Sequence, residues 1–342
     1  MKANLYLHPD AFAYNGTDTE AEVTAKLNKL AEDMRDVLYR KTKDNAFVSH
    51  SKLPKCKVFQ DIDIMKYIRE HIRHEAVDVL FSIVCNTSDD FNEDLDSLRA
   101  RCKYSPDEEE VNAVLAMNQL PSTEAEEPDD AEVSEQEGEE EKGEKVEPVG
   151  ISYYMQFDNY EIVYNKSSWI TLRRQILGNH PGEPGEFIAE CKKYFPKIEF
   201  HDNCVNSLSG DDYLTSIPRK IVYYLAALND QFSSIRNRHA KEANAANAIL
   251  ADFSGAYRFD KAGSLQGNPK TKKYRKFLFT LKDGETIQQK EMECEPHLKI
   301  ERPDKNYTGS RKENFHPRIY FHFGAPDVCH GKILVGSIGP HL

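Results

Sequence analysis

The chain is predicted to be an α+β protein, with an N-terminal α/β region carrying an acidic disordered insertion and a C-terminal long helix packed on an antiparallel β-meander. Three observations carry this. Short apolar strand candidates and amphipathic helical stretches are mixed through residues 1–120. Residues 121–148 hold 13 Asp or Glu against 2 Lys and almost no bulky apolar residue, so they have nothing to bury and repel one another. After Gly255 the apolar period changes from 3.6 to 2, which marks a change from helix to strand.

Taken in order, Asn4-Leu-Tyr-Leu7 opens as a strand that ends at His8-Pro9-Asp10. Thr17–Arg40 has apolar residues three and four apart (Val23, Leu27, Leu30, Met34) and reads as an amphipathic helix. Ala46-Phe-Val-Ser and Lys57-Val-Phe are strand candidates, and Ile64 to Ile72 is helical. Glu75 to Val84 fits helix or strand equally. Ser105-Pro106-Asp107-Glu108 is a helix start, with a cap, a proline at the first position and an acid three residues after the cap. That helix is expected to run to Met117-Asn118.

Beyond the acidic linker, whose functional reading is a nucleic-acid mimic screening a basic surface, Ile151–Phe157 and Tyr160–Tyr164 read as a hairpin across Asp158-Asn159. Residues 149–217 are expected to continue the α/β region, either as one domain with residues 1–120 interrupted by the linker, the favoured reading, or apart from it. Trp169–Leu177 and Phe187–Tyr194 are helical, and Lys197–His201 is extended. Pro218 opens a long helix through Ile221, Val222, Leu225, Leu228, Phe232 and Ile235, continuing toward Leu250 with a kink in its polar second half. Residues 218–342 are the C-terminal module. There Tyr274–Leu281 and Glu285–Glu291 flank Lys282-Asp283-Gly284, a hairpin turn. The runs Glu295–Glu301, Pro317–Phe323 and Lys332–Ile338 complete about five strands.

Seven scattered cysteines without CxxC spacing point to a reduced, cytoplasmic protein. The longest apolar runs are too short to cross a bilayer, and no secretory signal is evident at the N-terminus. The net charge of −12 conceals a segregation: residues 255–342 carry 16 Lys or Arg against 10 Asp or Glu. The acidic total therefore does not exclude a nucleic-acid partner for the basic tail.

In a strand, side chains two apart share a face. His297, Lys299 and Glu301 therefore point one way, and Leu298 and Ile300 the other. Arg318, Tyr320 and His322 oppose Ile319, Phe321 and Phe323 in the same manner. Paired side by side, these runs would present imidazoles and cations on one wet surface. RNA cleavage through the 2′-hydroxyl needs a base, cations for the phosphorane and an acid for the leaving oxygen. His297 or His322 would be base or acid, Lys299 and Arg318 would hold the phosphate, and Tyr320 would stack a base, with Lys332 as a further nucleic-acid contact. No cofactor is called for. Zinc is disfavoured because Cys294 and His297, three apart in a strand, face opposite ways, and Cys329 and His330 are adjacent. Asp10, Asp61, Asp63, Asp78, Asp89 and Asp90 could form a carboxylate cluster for a metal, but they sit where turns and caps expect Asp.

The order of long helix, His-Leu-Lys strand, Arg-Ile-Tyr-Phe strand and apolar strand closing on Ile-Gly-Pro-His-Leu resembles the RelE/HigB-type toxins. The resemblance covers at most residues 218–342. It implies a messenger-RNA ribonuclease on a small helix-backed sheet, with His297, Lys299, Arg318, Tyr320 and His341 at matching positions. The large N-terminal part joined to a toxin-like tail resembles the layout of effector or sensor proteins in bacterial anti-phage systems. The partners so implied are RNA, free or ribosome-associated, or a protein from the same operon. The rival reading is a non-catalytic sensor or scaffold subunit of a defence assembly.

Overall fold

The first apolar run, Ala3 to Leu7, alternates Leu5 and Leu7 with Tyr6 and becomes the centre of a sheet. The computed structural model describes residues 2–39, 45–88, 93–102, 110–117, 162–163, 165–209, 212–239, 241–242, 245–265, 267–283, 286–304 and 316–342. The chain divides into two compact units, with the division at Trp169 and Ile170 for the described residues.

In the first unit β1 (Lys2–Leu7) pairs in parallel with β2 (Asn45–His50). A small antiparallel pair, β3 (Lys57–Phe59) and β4 (Ile62–Asp63), stands apart. β5 (Thr87–Ser88) joins the far edge of β2, β6 (Glu110–Leu115) joins the other side of β1, and β7 (Ile162–Val163) extends β6. All these pairings are parallel, and the order β5-β2-β1-β6-β7 reverses between β1 and β6, as in doubly wound α/β sheets. Helix Glu20–Tyr39 buries Val23, Leu27, Leu30 and Met34, the residues that its spacing singles out. His74–Val84 is helical, which settles the ambiguous stretch.

One expectation fails here. Residues 103–109, where a helix start was expected, lie outside the described residues, and Glu110–Leu115 is a strand. Ala113, Val114 and Leu115 are all fully buried, and a strand covered on both faces reads as a continuous apolar run that periodicity cannot tell from a helix. The hairpin expected across Asp158-Asn159 rests on Ile151–Phe157, which lies outside the described residues, as does the acidic linker; Ile162–Val163 pairs in parallel with β6.

Residues 170–217 belong with the C-terminal unit rather than with the N-terminal region. Their strand β8 (Ile198–Phe200) pairs in parallel with β14 (Ile333–Gly339) at one edge of a five-stranded sheet ordered β8-β14-β13-β12-β9. The other members are β9 (Lys261–Leu265), β12 (Pro296–Lys299) and β13 (Arg318–His322), all antiparallel to their neighbours. The helix Pro218–Arg238 lies against one face, and the kink expected beyond it is a break, with a second helix at Ala246–Ala256. Leu298, Ile300, Ile319 and Phe321 meet Ile221, Leu225, Leu228 and Phe232 in that core. Tyr224 and Phe259 stack at 3.9 Å within it.

The hairpin β10 (Lys276–Asp283) and β11 (Thr286–Glu293) forms where the Asp-Gly signal places it, but it does not extend the sheet. Its inward residues Phe277, Phe279 and Met292 lie over Tyr320, Leu334 and Cys294 on the face away from the helix. The close approach is permitted at Gly336, where a β-carbon would collide with the Phe277 ring. The meander is therefore a mixed sheet with a hairpin laid across it.

No helix among the described residues is long and apolar enough to cross a membrane.

Candidate functional site

The face of the C-terminal sheet opposite the long helix gathers the polar residues of four strands. His297 lies directly across from Tyr320, and Lys299 from Arg318. On the outer sides Tyr320 faces Ser337 and Arg318 faces Gly339, while His297 faces Ser264 and Lys299 faces Lys261. The period-two reading of both strands thus assigns the faces that the packing shows.

The His297 ring is 5.1 Å from that of Tyr320 and 6.5 Å from that of His341. Its Nε2 is 3.2 Å from Ser264 Oγ, and its Nδ1 is 3.4 Å from the Glu295 carbonyl oxygen. Tyr320 is fully buried, and its hydroxyl accepts from the Leu342 backbone N–H at 3.1 Å. The C-terminal residues and the hairpin together cover this part of the face. The wet surface foreseen from the sequence is thus closed over His297, which is 2% exposed, and over Tyr320. Tyr320 cannot stack a base, and His297 cannot touch a substrate.

Of the remainder, Lys299 and His341 stay within reach of solvent, whereas Arg318 is buried, with 8% of its surface exposed. Lys299 is half-buried and His341 exposed. Arg318 donates through Nη1 to the Pro317 carbonyl at 3.0 Å, while its Nε is buried without a hydrogen-bond partner. Neither Lys299 nor Arg318 makes an ion pair among the described residues. Ser337 Oγ, on the same face, is also buried and unpartnered. Unsatisfied buried donors are uncommon in folded proteins and call for a reason.

Charge accumulates here. Burial, with Lys299, Arg318 and His341 adding to it, pushes the His297 imidazole down to about 4, so it is neutral at physiological pH. Burial and the Arg318 charge hold the Lys299 ammonium below its ordinary range. His341 is lowered by partial desolvation and by Arg318, His316 and Lys299. The nearby acid is Glu301, whose carboxyl is lowered chiefly by its hydrogen bond from Lys261, 3.0 Å away.

Two residues expected in the site fall elsewhere. His322 shares the face but lies at the far end of β13, where its Nδ1 accepts from the Gly324 N–H and its neighbouring charges are Lys290 and Arg236. Lys332 precedes β14, at the opposite end from Gly339, and pairs with Glu199 at 3.3 Å. Conversely, Lys261, Ser264 and Ser337 join the cluster without having been singled out, and His316, considered in the sequence only as a zinc ligand, lies near His341 and Glu301. Ser264 and Ser337 sit in apolar or glycine-rich runs whose only signal is their strand pairing.

No group of three or more His, Cys, Asp or Glu is placed to hold a metal ion among the described residues. Asp63 caps the helix that follows it by accepting from Lys66 N, and Asp10 lies in an exposed turn. At the reversal point of the first sheet, His8 and His50 are buried with rings 5.3 Å apart. Each ring accepts a backbone N–H two residues on, from Asp10 and Lys52, and so shapes the loop after its strand.

Comparison with family models, with curated proteins and with solved structures gives no match, so the site is read from its own chemistry. Lys299 and Arg318 lie side by side with no ion pair among the described residues, next to the exposed imidazole of His341. Guanidinium and ammonium groups are the side chains that phosphates and carboxylates pair with.

Proposed function

We propose that the C-terminal unit binds RNA through its phosphates, at the Lys299–Arg318 pair with His341 alongside. The observation that carries this reading is the cross-strand placement of two cations that make no ion pair among the described residues, one of them holding a buried donor unused. The surplus of Lys and Arg in residues 255–342 adds long-range attraction for a polyanion. The protein acts in the reducing cytoplasm on this reading, which its seven scattered cysteines without CxxC spacing support.

A second step, metal-independent cleavage, is favoured by His341, which is exposed and held neutral beside two cations. As base it would take the 2′-hydroxyl proton. The 2′-oxygen–phosphorus bond would form as the phosphorus–5′-oxygen bond breaks, with Lys299 and Arg318 balancing the phosphorane charge and water supplying the proton to the 5′-oxygen. His297 then acts only by positioning Tyr320 and His341.

The test is RNA binding, RNA cleavage and growth inhibition with Lys299→Ala and Arg318→Ala. Loss of binding in both, with folding intact, supports the proposal, and loss of cleavage alone in His341→Ala supports the second step. Wild-type behaviour in both lysine and arginine variants contradicts it. A stoichiometric co-purifying protein in place of RNA would favour the scaffold of a defence assembly.

A further inference from the structure

Beside this cluster lies a second basic feature. Pro269-Lys-Thr-Lys-Lys-Tyr-Arg-Lys276 holds five Lys or Arg and a Tyr in eight residues. Residues Pro269–Arg275 form a 3-10 turn capped by Asn268, whose side chain accepts from Lys270 N at 3.0 Å. Arg275, 2% exposed, pins the turn from within. Its Nη1 donates to the Asn268 carbonyl at 3.3 Å and to Thr271 Oγ1 at 2.8 Å, and its Nη2 to Glu293 at 3.2 Å. The turn is joined to the candidate site by its backbone, because the Arg275 carbonyl accepts from Cys294 N at 2.8 Å, just before β12.

What this rigid turn displays outward is unusual. Tyr274 is 56% exposed, and Lys273 Nζ stands 4.8 Å from its ring centroid. Lys272 and Lys276 are held by Glu293 and Glu291, whereas Lys270 and Lys273 have no acidic partner among the described residues. An aromatic ring more than half exposed, with one ammonium over it and a second, Lys270, without an acidic partner among the described residues, is the combination that single-stranded nucleic acids use: bases stack on the open face of the ring and phosphates meet the cations. Double helices hide their base faces and cannot use it.

We infer that the Pro269–Arg275 turn is a stacking platform for single-stranded RNA, with Tyr274 carrying one base and Lys270 and Lys273 the flanking phosphates. The inference rests on the proposed RNA reading of the adjacent sheet and adds to it a preference for unpaired strands.

The test uses the full chain, a labelled single-stranded RNA on the order of ten nucleotides and a duplex of the same sequence. Tyr274→Ala is expected to weaken single-strand binding about tenfold, the worth of one stacked base, and to leave the salt slope unchanged. Tyr274→Trp is expected to retain affinity and to show tryptophan quenching by the single strand and not by the duplex; the other tryptophan, Trp169, is buried. If Tyr274→Ala binds like wild type while Lys299→Ala and Arg318→Ala lose binding, the platform is overturned and the RNA reading stands. If wild type binds no RNA, both fall. Equal quenching by the duplex overturns stacking. So does loss of a stoichiometric protein partner in Tyr274→Ala at unchanged RNA affinity, which would assign the turn to a protein interface.

Discussion

Lys299 lies directly opposite Arg318 on adjacent antiparallel strands, so two like charges occupy the closest cross-strand position. Such pairs destabilise a sheet, and here burial lowers the readiness of both groups to carry charge. An arrangement that costs stability without a ligand and is relieved by an anion is what a phosphate site requires.

The first expectation follows from that cost. Lys299→Gln should stabilise the ligand-free sheet by ~0.2–1 kcal/mol while weakening RNA binding. Hydrogen exchange of the β12 and β13 amides measures the first effect and filter binding the second. Slower exchange together with weaker binding is the expected pattern.

His297 should make the sheet acid-sensitive. Its folded value of about 4 lies below its ordinary 6.5, so between these values the unfolded chain binds more protons. Its contribution to stability is full above pH 6.5 and is lost as pH falls through about 4. The loss relative to His297→Gln should approach ~3 kcal/mol, read from exchange of the same amides across that range.

Asp304 should behave in the opposite sense. Its carboxylate accepts from the N–H groups of Arg219 and Lys220 at the start of the long helix, at 2.9 and 3.3 Å. Burial nevertheless raises it to about 6 from 3.8. The folded chain therefore holds the proton longer, and the stability of wild type relative to Asp304→Asn should fall as pH rises from about 4 through about 6. Asp304→Ala, which removes the cap, should cost ~1–2 kcal/mol.

Gly336→Ala should lift the hairpin from the sheet, because the added methyl meets Phe277. A cost of ~1–3 kcal/mol is expected from overpacking, with faster exchange near Tyr320. Phe277→Leu in the same chain should recover most of it.

Much of this was legible in the residues. The alternation of His297, Lys299, Arg318 and Tyr320 against Leu298, Ile319 and Phe321 fixes which side chains face the helix, because the strand period is two whatever the neighbours. The pairing of Lys299 with Arg318 was not legible, since their register depends on how the chain returns after residue 304. Nor was the lid over His297: the alternation of Phe277 and Phe279 reveals an apolar face without saying what it covers. Asp304 accepting from the N–H of Arg219, 85 residues earlier at the start of the long helix, leaves no local signal, and β6 shows how a fully covered strand imitates a helix.

The most direct measurement is the salt dependence of RNA affinity for wild type and for the Lys299→Ala/Arg318→Ala double variant. Each phosphate contact in a single strand contributes a slope of about 0.7 in log affinity against log salt. The account expects the double variant to bind more weakly, with a slope shallower by about 1.4. Equal affinity and equal slope in a folded double variant would contradict it.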